Sequence, residues 1–75
     1  MKPVAVESTT LATVAYDAGR ALLQLEFCDR AVYQYFDVPA AVHEALLSAR
    51  SKGRYFNRFI RGRFARAPAS LVSLS

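Results

Sequence analysis

Basic side chains are concentrated in the last third of the sequence. Positions 50–75 hold seven bases and no acid, whereas positions 1–49 hold three bases and six acids, so these parts carry +7 and −3 and sum to the net +4 of the chain. The seven bases are Arg50, Lys52, Arg54, Arg58, Arg61, Arg63 and Arg66. Such an asymmetry is typical of proteins that meet a polyanion or an acidic partner.

Spacing places three of these arginines on one side of a predicted helix. Arg54, Arg58 and Arg61 follow one another at steps of four and three residues, which return to the same side of an α-helix. The opposite side is apolar and consists of Tyr55, Phe56, Phe59 and Ile60. Every amphipathic helix has a polar outer face, and bases suit its C-terminal end. An ordinary outer face mixes both signs of charge, however, so bases without an acid favour a surface for phosphates.

Asn57 lies among these bases and is added to the predicted interface. Its side-chain amide would either read a base edge or cap a nearby carbonyl group, and the sequence leaves both roles open. The predicted nucleic-acid contacts are therefore Arg50, Lys52, Arg54, Asn57, Arg58, Arg61, Arg63 and Arg66.

No catalytic motif accompanies positions 50–75, which are called the basic segment below. The sequence lacks the glycine-rich phosphate loops and the nucleophile elbow. Its single cysteine, Cys28, and single histidine, His43, have no partners at disulfide or metal-ligand spacing. Ser51 beside Lys52 is interpreted as a helix cap next to a surface cation. We therefore expect a non-enzymatic protein without metal or cofactor.

Length limits what the chain can build. Its 75 residues, 53% of them hydrophobic, indicate one small folded domain. At that size about 60% of the unfolded chain's surface is buried on folding, which gives a thin two-layer core and predicts no large cleft. No run reaches the ~18 apolar residues of a membrane span, and the first residues lack the apolar region of a signal peptide. The expectation is a monomeric cytosolic protein.

The first half of the sequence predicts three antiparallel strands, at 11–16, 21–27 and 31–36. The second strand alternates apolar and polar residues at period two, as does the third around Gln34. A three-residue loop at 28–30 would place Leu25 opposite Tyr33 and Leu23 opposite Tyr35, whereas a two-residue loop would put both tyrosines on the wet face. We favour the longer loop because it keeps the bulky residues together, although it requires Arg30 to adopt a left-handed conformation.

The second half predicts two helices that cover this sheet. Asp37 or Val38 is the expected cap of a helix from Pro39 to about position 50, and Ser51 that of a helix ending near 61 or 62. Residues 65–75 contain small residues, serines and Pro68 and are predicted to be weakly ordered. The expected fold is α+β, a three-stranded antiparallel meander with two helices on one face, in the order βββαα.

In this arrangement the two tyrosines of the third strand have two interpretations. Tyr33 and Tyr35 could stack RNA bases on an open sheet, as aromatics do in some RNA-binding folds. Their alternation instead aligns them with Leu23, Leu25 and Phe27, which favours core packing under the helices. Phe56 and Phe59 are expected to meet the tyrosines there.

The order of these motifs resembles the KTSC domain family. The resemblance covers residues 8–64 and rests on the Leu-x-Leu-x-Phe strand, Tyr33-Gln34-Tyr35, Val38-Pro39 and an Ala-x-Ser-x-Gly-x-Tyr-Phe-Asn-x-x-Ile-Arg segment over 49–61. That family takes its name from lysyl-tRNA synthetase C-termini, where some of its members lie. The resemblance implies the same small domain and raises the expectation of an RNA partner.

These observations predict a binding module rather than an enzyme. The first hypothesis is that the basic face of the second helix binds RNA or another nucleic acid. The alternative hypothesis is that the same face binds an acidic protein partner.

Overall fold

The computed structural model describes residues 1–69, which form one antiparallel sheet and two consecutive helical regions. The elements in chain order are β1 (Val4–Ala5), β2 (Leu11–Asp17), β3 (Leu22–Phe27), β4 (Val32–Tyr35), α1 (Ala40–Ser48), α2 (Lys52–Tyr55), a π-helical turn (Phe56–Ile60) and β5 (Arg66–Pro68). The α+β class predicted from the sequence is confirmed. No helix within residues 1–69 is long and apolar enough to cross a membrane.

The sheet has five strands in the order β1-β2-β3-β4-β5, and the prediction of three strands is therefore incomplete. The predicted meander forms its centre, and a short strand is added at each edge. Val4 pairs with Val14 on one side, and Arg66 pairs with Tyr35 on the other. Neither edge strand is long enough to show the period-two alternation that identifies a strand, and each is held by pairing with a longer neighbour.

The segment after Phe64 was expected to be weakly ordered, but part of it is β5. Its three residues pair antiparallel with β4, so the chain returns to the sheet after both helical regions. Residues 70–75 of the predicted tail lie outside the described residues.

The hairpin between β3 and β4 has the predicted register. Leu23 lies opposite Tyr35, and Leu25 opposite Tyr33. Phe27 N–H donates to the Ala31 carbonyl at 2.8 Å across the three-residue loop, and Arg30 has a φ of 75°. The left-handed residue that the longer loop requires is therefore present, and the apolar side chains of both strands share one face.

The helices begin close to the predicted positions but differ in their caps. Pro39 is the N-terminal boundary residue of α1, in place of the expected Asp37 or Val38, because Asp37 takes a left-handed φ of 59° and turns the chain before the helix. The predicted cap of α2 is confirmed, since Ser51 Oγ accepts a hydrogen bond from the Arg54 N–H at 3.3 Å.

A π-helical turn changes the face that the second helical region presents to the sheet. The Arg61 N–H donates to the Phe56 carbonyl at 2.8 Å, closing an i→i+5 turn that holds one residue more than an α-helical turn. Phe56 and Ile60 are buried, whereas Phe59 rotates outward and is 44% exposed. The expectation that Phe59 meets the strand tyrosines is therefore wrong, while Phe56 does meet Tyr35, with ring centroids 5.7 Å apart.

The core lies between the apolar face of the sheet and the two helical regions. Its members are buried side chains from β2, β3, β4, the β4–α1 loop, α1 and the π-helical turn: Leu11, Val14, Leu23, Leu25, Tyr35, Val38, Leu46, Phe56 and Ile60. His43 is half-buried at the edge of this core, where its ring stacks on Tyr16 at 4.5 Å. The predicted assignment of Tyr35 to the core is confirmed.

Candidate nucleic-acid interface

Arginines and aromatic rings alternate around α2 and the π-helical turn. Arg50, Arg54 and Arg58 are exposed and lie with Tyr55 and Phe59 around a shallow depression of about 290 Å³. These five residues are called the helix patch below. Arg54 and Arg58 lie four residues apart in the second helical region and share one side of it, while Arg50 reaches the same depression from the loop before α2.

The aromatic rings of the helix patch pack against each other at the surface. The Tyr55 and Phe59 centroids are 4.7 Å apart and their planes are tilted by 36°. The Arg58 guanidinium carbon lies 5.7 Å from the Phe59 centroid, within cation–π range. The exposed Phe59 ring, with a tyrosine and an arginine beside it, offers a surface for another planar group.

The remaining predicted contacts are divided between several places. Asn57 and Arg63 are exposed. Lys52 is half-buried, and its ammonium group donates to the Ala49 carbonyl at 3.0 Å. That bond satisfies a carbonyl at the end of α1, so Lys52 joins the two helical regions. Arg61 and Arg66 lie together at a second site and are not part of the helix patch.

This second site is a cavity beside the β3–β4 hairpin. It has a volume of about 530 Å³, and its lining includes Phe27, Cys28, Tyr33, Tyr35, Arg61 and Arg66. We call it the hairpin cavity. The length of the chain predicts no large cleft, but the structure has a recess between the hairpin and the chain that enters β5. A cavity of this size lies within the range of small-molecule sites.

The hairpin cavity contains an unusual hydroxyl group. Tyr35 is 1% exposed, and its Oη has no hydrogen-bond partner among residues 1–69. Burial raises the pKa of Tyr35, while the nearby Arg66 guanidinium opposes part of that rise. Arg66 also lies over the Tyr33 ring, with its guanidinium carbon 4.6 Å from the centroid. A buried donor without an acceptor costs free energy, which makes this group exceptional in a small core.

The basic segment is not neutralised by the acids of the first half. Within residues 1–69 the ion pair that forms joins Arg20 and Asp17, at 3.9 Å and outside that segment. The exposed arginines at 50, 54, 58, 61, 63 and 66 therefore face solvent without a carboxylate partner in the described chain. Five of these exposed arginines lie at two sites: Arg50, Arg54 and Arg58 in the helix patch, and Arg61 and Arg66 at the second site.

Two features of these regions were missed in the sequence. Phe59 was assigned to the buried side of an ideal helix, and no residue pattern signals the π-helical turn that exposes it. The hairpin cavity joins residues from β3, β4, the helical region and β5, which are far apart in the chain. The sequence contains the two tyrosines of β4 and the basic segment, but it does not show that Tyr33 and Tyr35 lie beside Arg61 and Arg66.

Comparison with known proteins identifies several similar chains. The model of the KTSC domain matches residues 7–64. A protein of Stutzerimonas stutzeri is 45% identical over 58 residues, which cover 77% of this chain and 82% of that protein. A lysine–tRNA ligase of Nostoc punctiforme is 41% identical over 58 residues, which amount to 77% of this chain and 10% of the ligase.

A solved structure shows the same fold. The crystal structure of a KTSC domain protein from Yersinia pestis superposes with a TM-score of 0.87 at 33% identity. The match covers 89% of this chain and 94% of that one. The five-stranded sheet with its helical regions is thus shared by an experimentally determined relative.

Proposed function

Because this chain belongs to the KTSC domain family, whose model covers residues 7–64, we propose that it is an RNA-binding module that uses the helix patch. The observation that carries this proposal is the exposed Phe59 ring, which packs against Tyr55 and has arginines beside it. Proteins that bind single strands combine aromatic rings, on which bases stack, with cations that follow the backbone.

The energetics of such a surface favour a polyanion with unpaired bases. Each stacked base contributes about 1–3 kcal/mol, and each arginine that neutralises a phosphate releases counterions. Phe59 is 44% exposed beside the arginines of the patch, so its ring is accessible to a base. Three arginines and one accessible stack give a short site, so the expected binding is weak and depends little on sequence.

The fusion of a similar segment to a tRNA-handling enzyme also supports RNA as the partner. In the Nostoc punctiforme lysine–tRNA ligase, the similar segment is about a tenth of the protein. A module carried by an enzyme that handles tRNA would be useful if it held RNA near that enzyme. The proposal applies this reasoning to the present chain and names RNA ahead of DNA.

Removal of the helix-patch charges is expected to weaken RNA binding by at least about tenfold at low salt. The variant is Arg50→Gln/Arg54→Gln/Arg58→Gln. For the unaltered chain, log affinity should fall against log salt with a slope of about −2, from roughly −0.7 for each of three phosphates. In the variant that slope should approach zero. Fluorescence anisotropy of a labelled single-stranded RNA at several salt concentrations measures both quantities.

The matched control removes three charges from outside the basic segment, as Lys2→Gln/Arg20→Gln/Arg30→Gln. Both triple variants have a net charge of 4 − 3 = +1. The control should keep the affinity within about threefold of the unaltered chain, because its cations do not lie in the helix patch. Equal losses in the two variants would show that net charge alone determines binding and would overturn the assignment.

Phe59→Leu tests the stacking part of the proposal. Leucine keeps an apolar side chain but removes the flat ring, so the RNA affinity should fall about 5- to 100-fold, as for loss of one stacked base. Phe59→Tyr keeps the ring and should retain binding. Because Phe59 is 44% exposed, neither change should alter the urea midpoint appreciably. An unchanged affinity in Phe59→Leu contradicts a stacking role.

The RNA-binding assay, together with a pulldown before and after nuclease treatment, distinguishes an RNA partner from an acidic protein partner. Aromatic residues and arginine are also enriched at protein interfaces. A chain that shows no affinity for RNA at low salt, but retains a discrete acidic protein after nuclease treatment, would have the alternative function. If the captured protein is lost after nuclease treatment, the result supports RNA as the direct partner.

A further inference from the structure

The hairpin cavity has the composition of a ligand site that is separate from the helix patch. Its two guanidinium groups, from Arg61 and Arg66, come from opposite ends of the segment that leads from the π-helical turn into β5. The acidic residue of its lining, Asp29, already accepts a hydrogen bond from the Ala31 N–H at 3.0 Å. The lining therefore carries a net positive charge and would attract an anion.

The buried hydroxyl of Tyr35 gives a second, independent indication. The cations that act on this group are Arg66 and Arg61, which line the same cavity. Its Oη is a donor without an acceptor among residues 1–69, on a side chain that is 1% exposed. A ligand oxygen would supply the missing acceptor, and arginine is the side chain best suited to hold phosphate oxygens in pairs.

The aromatic part of the lining indicates what else the ligand carries. Phe27 and Tyr33 form an edge-to-face pair with centroids 6.2 Å apart, and Phe27 also packs against Phe56 at 5.2 Å. A volume of about 530 Å³ is far larger than one phosphate group would fill. The ligand should therefore join a phosphate to a planar apolar group.

We propose that the hairpin cavity binds a nucleoside monophosphate, with Arg61, Arg66 and the Tyr35 hydroxyl at the phosphate and the Phe27 and Tyr33 rings beside the base. Such a ligand has two sources, a free nucleotide or the 5′-phosphorylated end of an RNA strand. The inference does not rest on the helix patch, since a free nucleotide can occupy the cavity without RNA binding there.

Cys28 provides a direct readout of occupancy. It is the single cysteine of the chain, it is exposed, and it lines the cavity. Adenosine or uridine 5′-monophosphate should slow its reaction with a thiol reagent several-fold. The same ligand should shift the amide resonances of Tyr33, Tyr35, Arg61 and Arg66 in an NMR titration. The nucleoside alone and inorganic phosphate should each bind at least about tenfold more weakly, because each lacks one half of the contacts.

Tyr35→Phe and Arg66→Gln test the phosphate contacts. Each should weaken mononucleotide binding about tenfold, as for loss of a hydrogen bond to a charged group. Arg20→Gln is the matched control and should leave the mononucleotide affinity unchanged, because Arg20 is exposed and lies in neither the helix patch nor the lining of the hairpin cavity. Tyr35→Phe retains the ring in the core, so a folded protein is available for the measurement.

Three results would overturn the proposal. One is a Cys28 reaction rate that no mononucleotide changes. Another is equal binding of inorganic phosphate and the mononucleotide, and the third is an equal loss in Arg20→Gln and Arg66→Gln. A short RNA with a 5′-phosphate, tested on the Arg50→Gln/Arg54→Gln/Arg58→Gln variant, distinguishes the sources. Stronger protection by this RNA than by the mononucleotide supports the proposal with a strand end as ligand, and equal or weaker protection supports it with a free nucleotide.

Discussion

Replacement of Tyr35 by alanine is expected to lower the free energy of unfolding by about 3–5 kcal/mol. The ring is 1% exposed, lies opposite Leu23 across β3 and β4, and meets Phe56 edge-to-face at 5.7 Å. Its removal takes a large aromatic surface out of the core and leaves a cavity beneath the π-helical turn. For a domain whose total stability is of the order of 5–15 kcal/mol, this loss is a large fraction. A urea melt followed by circular dichroism measures it.

Tyr35→Phe is the matched variant and should unfold at an equal or higher urea concentration. It keeps the ring and removes a buried hydroxyl that has no partner among residues 1–69, and an unsatisfied buried group costs about 1–3 kcal/mol. A small loss for alanine would show that the ring lies outside the core. A large loss for phenylalanine would show that the hydroxyl has a stabilising partner in the folded chain.

Gly53→Ala is expected to lower the free energy of unfolding by about 1–3 kcal/mol, although alanine is the better helix former. A β-carbon at Gly53 would approach the Thr10 hydroxyl closely and lie 2.9 Å from the Thr10 Cβ. Rotation of the Thr10 side chain moves the hydroxyl but cannot move its Cβ. The backbone of α2 must therefore shift away from the start of β2. Urea denaturation of the purified variant tests this expectation.

Two further variants separate this close contact from other effects of the substitution. Thr10→Gly in combination with Gly53→Ala removes the opposing Cβ, so the double variant should lose less stability than the two single changes added together. Gly19→Ala is the control, because a β-carbon there lies 3.4 Å from an Asp17 carboxylate oxygen, an ordinary contact. Additive losses in the double variant would contradict a clash between α2 and Thr10.

The centre of the sheet could be predicted because the alternation of apolar and polar residues in β3 and β4 favours a single register between these strands. Only a three-residue loop brings Leu25 opposite Tyr33 and Leu23 opposite Tyr35, and the burial of large apolar groups outweighs the modest cost of a left-handed Arg30. The cap at Ser51 was predictable for a similar reason, since a serine hydroxyl satisfies a free N–H at the first turn of a helix.

The edge strands and the surface of the helical region could not be predicted in the same way. Arg66–Pro68 has no alternation of its own and becomes a strand through pairing with β4. The exposure of Phe59 depends on one additional residue in a helical turn, which the periodicity of the sequence does not reveal. The predicted cations do not form one surface, because Arg50, Arg54 and Arg58 lie in the helix patch, whereas Arg61 and Arg66 lie at the hairpin cavity.

The two edge strands also affect the tendency of this protein to aggregate at high concentration. An exposed strand edge is a template for pairing with another chain, and natural sheets limit this hazard with very short edge strands and prolines. Here β1 has two residues and directly follows Pro3, while β5 has three residues and ends at Pro68, which has no N–H to donate. Both borders therefore resist recruitment of an additional strand from a second molecule, which favours a protein that stays dispersed and free of sheet-to-sheet aggregation.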